Sequence, residues 1–459
     1  MGAGKSTLGA ALAERLGRPF VDVDREIGRE QPIAEIFARE GESGFRRREA
    51  GQTLAALRSG VPAVVALGGG AVTSEEIRAE LRERALTILV EVEPDDAWRR
   101  SSGGDRPLAQ DEAAFRRLFA ERRPVYEQVA DGRADDLDGA VLAAGGIHVE
   151  LGALERLGEL VPGAGPVELV ADARVAGIHG MDAQLALGAR ARALHEVGPG
   201  EQAKAFESVE TLWQELRLER GGTIVALGGG STTDVAGFAA ATYLRRIEWV
   251  AVPTTLVGQV DAAIGGKTAL DLPYAKNLVG AFHWPARTVV DAALLETLPE
   301  AEVANGRAEV VKTGLLVGEP LWELPLPEQV RRAAAFKTAV CLRDPRDRGE
   351  RAQLNLGHTF AHALEAAAGF DLPHGRAVAL GLLAALRLSG LDTDVVEREL
   401  RPEPVRVDRE QAWAALTRDK KVEGGVPRLV LLDEPGRPRL GVELPEADVR
   451  AALHALIAG

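Results

Sequence analysis

The sequence predicts an α/β protein with more than one domain. Apolar runs of strand length alternate with stretches of helical periodicity up to about residue 290, a pattern typical of βα units. At 459 residues, the chain is also roughly three times as long as a typical domain. From about residue 294 the periodicity becomes mainly helical, as in residues 377–388. We therefore expect two α/β parts followed by a helical part.

Each element follows from its local pattern. In the first part, residues 10–16 and 54–57 have helical spacing, whereas residues 63–67 and 86–92 are apolar runs of strand length. The small, acidic, glycine-rich stretch 130–146 ends this series, and a new strand signal begins at residues 147–151. Further strands are predicted at residues 167–170, 223–227, 249–252 and 288–290. The pattern predicts domains over residues 1–146, 147–293 and 294–459.

Charge and composition exclude several classes of function. The 55 basic and 69 acidic residues give a net charge of −14, so the chain has no broad basic surface for nucleic acid or anionic lipid. The longest apolar run ends at Arg387, well short of the ~20 residues that span a bilayer. One cysteine, Cys341, excludes an internal disulfide and a multi-thiolate metal site. We expect a cytoplasmic protein that binds small molecules and has no nucleic-acid or membrane partner.

Lysine is rare in this chain. Only eight of the 55 basic residues are lysines, and the rest are arginines. The two side chains are nearly interchangeable on a solvated surface, so this bias should leave lysine mainly where a compact, rotatable ammonium is required. The alternative is chance survival on the surface. The candidates are Lys5, Lys204, Lys267, Lys276, Lys312, Lys337, Lys420 and Lys421.

Residues 2–7 read GAGKST, which is typical of the end of a phosphate-binding loop that leads into a helix. The glycines let backbone N–H groups converge on phosphate oxygens, the lysine reaches the terminal phosphates, and the serine hydroxyl ligates Mg²⁺. A glycine-rich helix start is the alternative. We expect ATP and Mg²⁺ to bind at Gly2, Gly4, Lys5, Ser6 and Thr7.

The segments that follow resemble the shikimate kinase family. FVDVD (20–24), FRRRE (45–49), LGGGA (67–71), DRPL (105–108) and RRPVY (122–126) occur in that family's order and approximate spacing. They supply arginines for bidentate binding of a small carboxylate and a carboxylate for its hydroxyls. The resemblance implies that Asp22 serves the Mg²⁺ shell and that Arg106 lies over the transferred phosphate. It implies a shikimate site at Asp24, Arg46, Gly68, Gly69, Gly70 and Arg122.

The resemblance to shikimate kinase is trimmed at both ends. The full loop motif needs a glycine five positions before Gly4 and a strand ahead of it, and the sequence has neither before Met1. The region after Ala130 looks too short for the closing strand, adenine loop and final helix of that family. We therefore expect weak or absent phosphorylation of shikimate. The alternative is a non-catalytic module that keeps affinity for shikimate or nucleotide.

Two patterns stand out in the later part. Residues 225–231, VALGGGS, place a glycine turn after a strand, where a dinucleotide pyrophosphate can approach backbone amides, although a tight turn alone gives the same pattern. His358, His362 and His374 are three of the chain's eight histidines, and the first two share a helix face because they are four residues apart. With a helical carboxylate such as Glu309, they predict a zinc site with an open position. Structural histidines are the alternative.

From Gly146 onward the sequence closely resembles the 3-dehydroquinate synthase family. Shared segments include PTTL (253–256), QVD (259–261), GGKT (265–268), KNLVGAF (276–282), AEVVK (308–312), LNLGHTFAHALE (354–365) and DKK (419–421). The resemblance implies zinc, or another divalent metal such as Co²⁺, at Glu309, His358 and His374. It implies a site for the sugar-acid phosphate at Asp261, Lys267, Lys312, Lys337, Arg351, Asn355, His362 and Lys420 or Lys421, with Arg245 and Asn277 nearby. It implies NAD contacts at Asp172, Glu201, Lys204, Gly228, Gly229, Gly230, Asp234, Thr254, Thr255, Lys276, Thr297 and Leu298.

Three features depart from the synthase pattern. Arg174 stands where the family usually has a short amide, and Arg246 replaces the usual glycine. The span of 28 residues from Glu309 to Lys337 is short. We expect the last difference to shorten a helical hairpin and to leave the zinc ligands in place.

Together the resemblances imply a P-loop kinase-like sheet domain, a Rossmann-like α/β domain and a mainly helical metal-binding domain. The implied reactions convert 3-deoxy-arabino-heptulosonate 7-phosphate to 3-dehydroquinate plus phosphate, with NAD removing and returning a hydride, and phosphorylate shikimate with ATP. The alternatives are a related sugar phosphate cyclase or a polyol dehydrogenase on the same fold. A homodimer through the synthase part is also expected.

Overall fold

The computed structural model describes residues 2–102, 111–272, 275–418 and 427–458. The chain divides into two compact units, Met1–Gly146 and Ile147–Gly459. Each unit has its own buried apolar clusters, for example around Ile27 and Ile77 in the first and around Ile224 and Phe360 in the second. The α/β class predicted from the sequence is confirmed.

The first unit contains two separate pairs of parallel strands and seven helices among its described residues. Strand β1 pairs with β2, and β3 pairs with β4. The strands are β1 Phe20–Asp22, β2 Val64–Ala66, β3 Ile88–Val90 and β4 Gly132–Ala134. The helices are α1 Lys5–Arg15, α2 Val23–Glu30, α3 Ile33–Leu57, α4 Glu75–Arg84, α5 Pro94–Ser101, α6 Glu112–Val129 and α7 Leu137–Ala144.

The region after Ala130 does contain a strand and a helix, contrary to the expectation that it is too short for these two elements together with an adenine loop. Strand β4 pairs with β3 through three residues, and helix α7 follows at once. The Asp136 side chain caps α7 by accepting a hydrogen bond from the Gly139 N–H at 2.7 Å. A strand of three residues that includes Gly132 and Arg133 carries no apolar run, so its backbone pairing could not be read from periodicity.

A cavity of about 810 Å³ lies within the first unit and is lined by every residue of β2 and of β3. Lys5 and Leu12 of α1 and Phe115 of α6 also line it. Among the described residues, β2 pairs only with β1, and β3 pairs only with β4. The cavity therefore adjoins two strands that each lack a second neighbour.

The second unit begins with a parallel sheet of six strands in the order β5-β12-β9-β8-β6-β7. Every residue of β6 and β8 is buried, because both faces of a parallel sheet are covered. This burial explains the continuous apolar run in β8, whereas β6 also contains the buried Glu168. The strands are β5 Ile147–Val149, β6 Val167–Asp172, β7 Ala191–Val197, β8 Thr223–Gly228, β9 Glu248–Pro253 and β12 Arg287–Val290, with an antiparallel hairpin of β10 Lys267–Leu272 and β11 Ala275–Phe282. The helices of this part are α8 Leu157–Leu160, α9 Ala173–Val175, α10 Met181–Leu187, α11 Phe206–Glu215 and α12 Gly230–Thr242.

The rest of the second unit is mainly helical, as predicted, with one small antiparallel sheet. The helices are α13 Glu300–Val317, α14 Leu326–Arg343, α15 His358–Ala367, α16 His374–Ser389, α17 Asp394–Leu400, α18 Arg409–Arg418 and α19 Glu446–His454. The sheet pairs β13 Leu429–Glu434 with β14 Arg437–Val442. No helix in the described ranges is both long and apolar enough to cross a membrane.

Two glycines allow α15 and α16 to approach closely. A Cβ atom at Gly381 would lie 2.0 Å from the carbonyl oxygen of Gly357, so only glycine fits there. Gly357 precedes α15 with a φ of +77°, a conformation that favours glycine. The beginning of α15 therefore packs against the middle of α16. The ring centroids of His358, at the start of α15, and His374, at the start of α16, lie 5.5 Å apart.

Candidate functional site

Glu309, His358 and His374 form a cluster of possible metal ligands. Their ligand atoms all lie within 4.8 Å of one another. Nε2 of His358 lies 3.4 Å, and Nε2 of His374 3.1 Å, from Oε1 of Glu309. Two imidazole nitrogens and one carboxylate oxygen are a donor set that binds Zn²⁺ and leaves a fourth position for substrate. The three residues therefore fit the divalent metal that the sequence predicts.

Two lysines adjoin this cluster through Asp261. Lys312 lies one turn after Glu309 on α13 and forms an ion pair with the Glu309 carboxylate, while its Nζ is 3.6 Å from Oδ1 of Asp261. Nζ of Lys337, on α14, lies 2.7 Å from the same Oδ1. Both lysines are buried, with 1% and 8% of their surface exposed. Buried ammonium groups persist only with such partners.

The surroundings of the two lysines shift their pKa values in opposite directions. Burial alone would lower the pKa of Lys312, but Glu309 and Asp261 outweigh it and raise the pKa above its usual value. For Lys337, burial outweighs the attraction of Asp261, and its pKa is lowered. The two lysines hold the pKa of Asp261 below its usual value against the opposing effect of burial. Lys312 therefore stays charged, whereas Lys337 gives up a proton more readily.

The other predicted substrate residues differ in burial. Arg351 is buried, and its Nη1 donates to the Gly265 carbonyl at 3.0 Å. Lys267 has a half-exposed side chain, and its Nζ donates to Asp347 at 2.5 Å. Nδ2 of Asn355 donates to the carbonyl of Ala352 at 3.0 Å.

His362 is exposed, and its ring centroid lies 5.5 Å from that of His358. Arg245 is also exposed and adopts a φ of +66° between Leu244 and Arg246, which have positive φ as well. Lys420 and Lys421, and Arg106 of the first unit, lie outside the described residues.

A second charged cluster surrounds Lys204 beside the glycine turn. Nζ of Lys204 lies 2.8 Å from Oδ2 of Asp234 and 3.6 Å from Oδ1 of Asp271. It also contacts the Oδ1 atom of Asn277, so Asn277 joins this cluster. Burial raises the pKa of Asp234 to about 6, although Lys204 opposes the shift.

Glu201 connects Lys276 to the first turn of α12. Its carboxylate accepts a hydrogen bond from Oγ of Ser231 at 2.7 Å and lies 3.3 Å from Nζ of Lys276. Burial would raise the pKa of Glu201, but Lys204, Ser231 and Lys276 together lower it to about 2. The carboxylate therefore stays ionised across the physiological range.

The glycine turn itself is closely packed. A Cβ atom at Gly228 would lie 2.5 Å from Oγ1 of Thr232, and one at Gly230 would lie 2.8 Å from Cβ of Ala262. The turn ends β8 and begins α12, so free N–H groups of a helix start lie there. This geometry fits the pyrophosphate of a dinucleotide such as NAD.

The remaining predicted NAD residues lie on neighbouring loops. The Asp172 side chain accepts hydrogen bonds at the end of β6, including one from the N–H of Arg174 at 2.8 Å. The N–H of Thr254 donates to the Gly228 carbonyl at 2.9 Å, and Oγ1 of Thr255 accepts from the N–H of Gly258 at 3.0 Å. Oγ1 of Thr297, which precedes Leu298, lies 2.9 Å from Nε2 of His179, a residue that the sequence did not single out.

In the first unit, one loop collects the residues predicted to bind shikimate. A Cβ atom at Gly68 would lie 2.9 Å from Oδ1 of Asp24, and one at Gly70 would lie 1.9 Å from Nη1 of Arg46. Nη1 of Arg122 donates to the Gly69 carbonyl at 3.2 Å. A carboxylate and two guanidinium groups thus surround this loop.

Glu49 belongs to this group but was not predicted as a site residue. It is buried, and its Oε2 accepts a hydrogen bond from Nη1 of Arg46 at 2.6 Å. Burial raises its pKa, and Asp24 adds to the shift against the effect of Arg46. The available signal was the spacing of three residues from Arg46, which places both on one face of α3.

The residues predicted to bind Mg²⁺ and phosphate lie at the start of α1 and at the end of β1. Gly4 precedes α1 with a φ of +83°, and Lys5, Ser6 and Thr7 form its first turn. Asp22 ends β1 and is buried, and its Oδ1 accepts from the N–H of Arg25 at 3.2 Å.

Comparison with known families assigns residues 1–143 and 194–422 of the chain. The shikimate kinase family matches residues 1–143. The N-terminal and C-terminal families of 3-dehydroquinate synthase match residues 194–305 and 306–422.

Individual relatives agree with these matches. The 3-dehydroquinate synthase of Bordetella pertussis is 39% identical over 346 residues, which cover 67% of this chain and 95% of that protein. The enzyme of Symbiobacterium thermophilum is 40% identical over 347 residues, covering 68% and 97%. A solved 2-epi-5-epi-valiolone synthase from Streptomyces hygroscopicus, with NAD⁺ and Zn²⁺ bound, is 25% identical with a TM-score of 0.61, covering 68% and 96%. The chain therefore belongs to the 3-dehydroquinate synthase family and carries a shikimate kinase domain in its first 143 residues.

Proposed function

We propose that the second unit converts 3-deoxy-arabino-heptulosonate 7-phosphate to 3-dehydroquinate and phosphate, using NAD and a divalent metal. The observation that carries this proposal is the direct link between the metal ligands and the buried lysines. Lys312 contacts both Glu309 and Asp261, so the candidate metal site and the candidate anion site are directly adjacent. A substrate with both a hydroxyl to oxidise and a phosphate to release needs such an arrangement.

The chain's own residues have separable roles in this proposal. A metal at Glu309, His358 and His374 would polarise the substrate oxygens, and NAD at the glycine turn would accept and return a hydride. Lys312, which stays charged, offsets negative charge on the substrate. Lys337, with its lowered pKa, is the better proton donor as phosphate leaves. Asp261 holds both ammonium groups in place.

Sequence identity favours this substrate over that of a related cyclase. The chain is 39–40% identical to the two 3-dehydroquinate synthases named above but 25% identical to the valiolone synthase. A polyol dehydrogenase would release NADH as a net product, whereas the proposed reaction regenerates NAD in each turnover.

We further propose that the first unit binds ATP with Mg²⁺ and phosphorylates shikimate, so that the chain is bifunctional. The placement of Asp24, Arg46 and Arg122 around the loop 68–70 supports a site for a hydroxylated carboxylate. The turn at Gly4 and the helix that begins at Lys5 support a phosphate site. A cytoplasmic location and a homodimer through the second unit complete the proposal.

The synthase proposal is tested with Glu309→Gln, which keeps the shape of the side chain but removes its charge. Metal content by elemental analysis and formation of dehydroquinate should fall together. Glu300→Gln is the matched control, because Glu300 is exposed at the start of the same helix. Undiminished activity of the metal-free protein would overturn the proposal.

A further inference from the structure

We propose that Glu365 is a positioning residue of the metal centre, which holds the His374 imidazole in the orientation that presents Nε2 to the metal. Oε1 of Glu365 lies 3.0 Å from Nδ1 of His374. On the other side of the same ring, Nε2 lies 3.1 Å from Oε1 of Glu309. The ring is thus held between two carboxylates, one in the ligand cluster and one behind it. This inference rests on the proposed metal site.

Helix α15 supplies this support from one face. His358, His362 and Glu365 stand at intervals of four and three residues, so they follow one another along the same side of the helix. The same face therefore carries a metal ligand, a candidate substrate residue and the carboxylate behind the second histidine ligand. Glu365 has 7% of its surface exposed, and a carboxylate so buried needs a polar partner. His374 is that partner.

His374 is the ligand that packing constrains least. Its side chain is 32% exposed, compared with 10% for His358 and 1% for Glu309. It is also the first residue of α16, where no preceding helical turn surrounds the ring. Nδ1 of His358 is held by the backbone carbonyl of Leu356 at 3.2 Å, whereas Nδ1 of His374 has a side-chain carboxylate. A substitution can remove only the second of these contacts.

Loss of such a contact has a known order of magnitude. A carboxylate behind a ligating histidine fixes its tautomer and orientation, and its removal typically costs about 10-fold to 100-fold in metal affinity. Glu365→Gln keeps an oxygen that can accept a hydrogen bond but removes the charge. Glu365→Ala removes both. We therefore expect affinity to fall in the order parent, Gln variant, Ala variant.

The experiment titrates Co²⁺ into the metal-free full-length protein against a competing chelator and follows the visible absorption of the bound ion. Glu365→Gln should weaken Co²⁺ binding about 10-fold, and Glu365→Ala up to about 100-fold, with an altered Co²⁺ spectrum. The melting temperature of metal-free Glu365→Gln should stay close to that of the parent, which separates orientation from folding.

Glu168→Gln is the matched control. Glu168 is also a buried glutamate beside a histidine, with its Oε2 2.7 Å from Nε2 of His195, but it lies in the parallel sheet. It should bind Co²⁺ like the parent. If Glu365→Gln also binds like the parent while Glu309→Gln does not bind, the positioning role is wrong and the proposed function stands. If Glu309→Gln binds Co²⁺ like the parent, the metal site itself is wrong and both proposals fall.

Discussion

Lys337 and Asp261 make a double contact although they are 76 residues apart in the sequence. Nζ of Lys337 lies 2.7 Å from Oδ1 of Asp261 and donates to its backbone carbonyl, also at 2.7 Å. The contact joins α14 to the segment that follows β9. Because Lys312 approaches the same carboxylate, three separate parts of the second unit meet at Asp261.

The crowding at Asp261 predicts that arginine cannot replace either buried lysine. Guanidinium is planar and bulkier than ammonium, so Lys312→Arg and Lys337→Arg should each lose about 100-fold in rate, equivalent to a few kcal/mol of transition-state stabilisation. Lys267→Arg should lose less, because the Lys267 side chain is half-exposed and can be accommodated by movement toward solvent. The measurement is phosphate release from the seven-carbon sugar-acid phosphate.

The reverse exchange provides the control for the lysine variants. Arg387→Lys and Arg409→Lys change arginines that are not among the predicted site residues. Both variants should release phosphate at the parental rate, and their stability should change by no more than about 0.5 kcal/mol. If Lys312→Arg and Lys337→Arg release phosphate at the parental rate, these positions do not require lysine.

The cluster around Lys204 predicts a pH-dependent loss of stability in Lys204→Met. Burial raises the pKa of Asp234 from 3.8 to about 6, and without Lys204 this pKa should rise further. A carboxyl group with a folded pKa above its unfolded value contributes stability that is lost as the pH rises through the folded pKa. The deficit in melting temperature of Lys204→Met should therefore be larger at pH 8 than at pH 5.

Lys276→Met is the comparison for that experiment. The Lys276 side chain is 29% exposed, so water can solvate the charge that its removal leaves unpaired better than it can beside the buried Lys204. A deficit for Lys204→Met that is equal at both pH values would contradict the assignment of Asp234 as the group that titrates.

Arg246 adopts a φ of +112°, which is a region that favours glycine. A residue with a side chain in such a conformation costs of order 1–3 kcal/mol. Arg246→Gly should therefore raise the melting temperature of the second unit by about 2–4 °C per kcal/mol recovered. Arg220→Gly, at an exposed loop position without positive φ, should be neutral or destabilising. A lower melting temperature for Arg246→Gly would contradict the assignment of strain at this turn.

The cavity beside β2 and β3 predicts that the first unit accepts an added strand. A five-residue apolar segment, joined through a glycine placed five positions before Gly4, would bury side chains worth about 1.5–3 kcal/mol each before the cost of ordering the segment. We expect a higher melting temperature of the first unit and faster formation of shikimate 3-phosphate, because a site displaced by ~1 Å can lose about 100-fold in rate.

The control for the added strand carries proline at its middle position, which removes a backbone donor. If the extended protein and the unextended chain phosphorylate shikimate at the same rate, the cavity does not limit the kinase site.

Some features of the protein are determined by the sequence itself, because they depend on local pattern or on residue type. The buried strand β8 follows from a continuous apolar run, β6 follows from a mainly apolar one, and α1 follows from its loop and periodicity. The candidate metal ligands could be proposed from the sequence because few side chains bind Zn²⁺ and three of eight histidines lie in one short segment. The scarcity of lysine marked Lys204, Lys312 and Lys337, all of which are buried.

Other features were decided by tertiary structure alone, because they depend on which distant residues meet. Strand β4 has no apolar run and exists through its pairing with β3. Glu365 meets His374 because α15 and α16 pack against each other. Lysine scarcity could not separate half-exposed Lys267 from buried Lys337, since burial is set by the elements packed around each residue. The pKa values of Lys312 and Lys337 differ because Lys312 also faces Glu309 on its own helix, whereas the contact of both lysines with Asp261 exists only through tertiary structure.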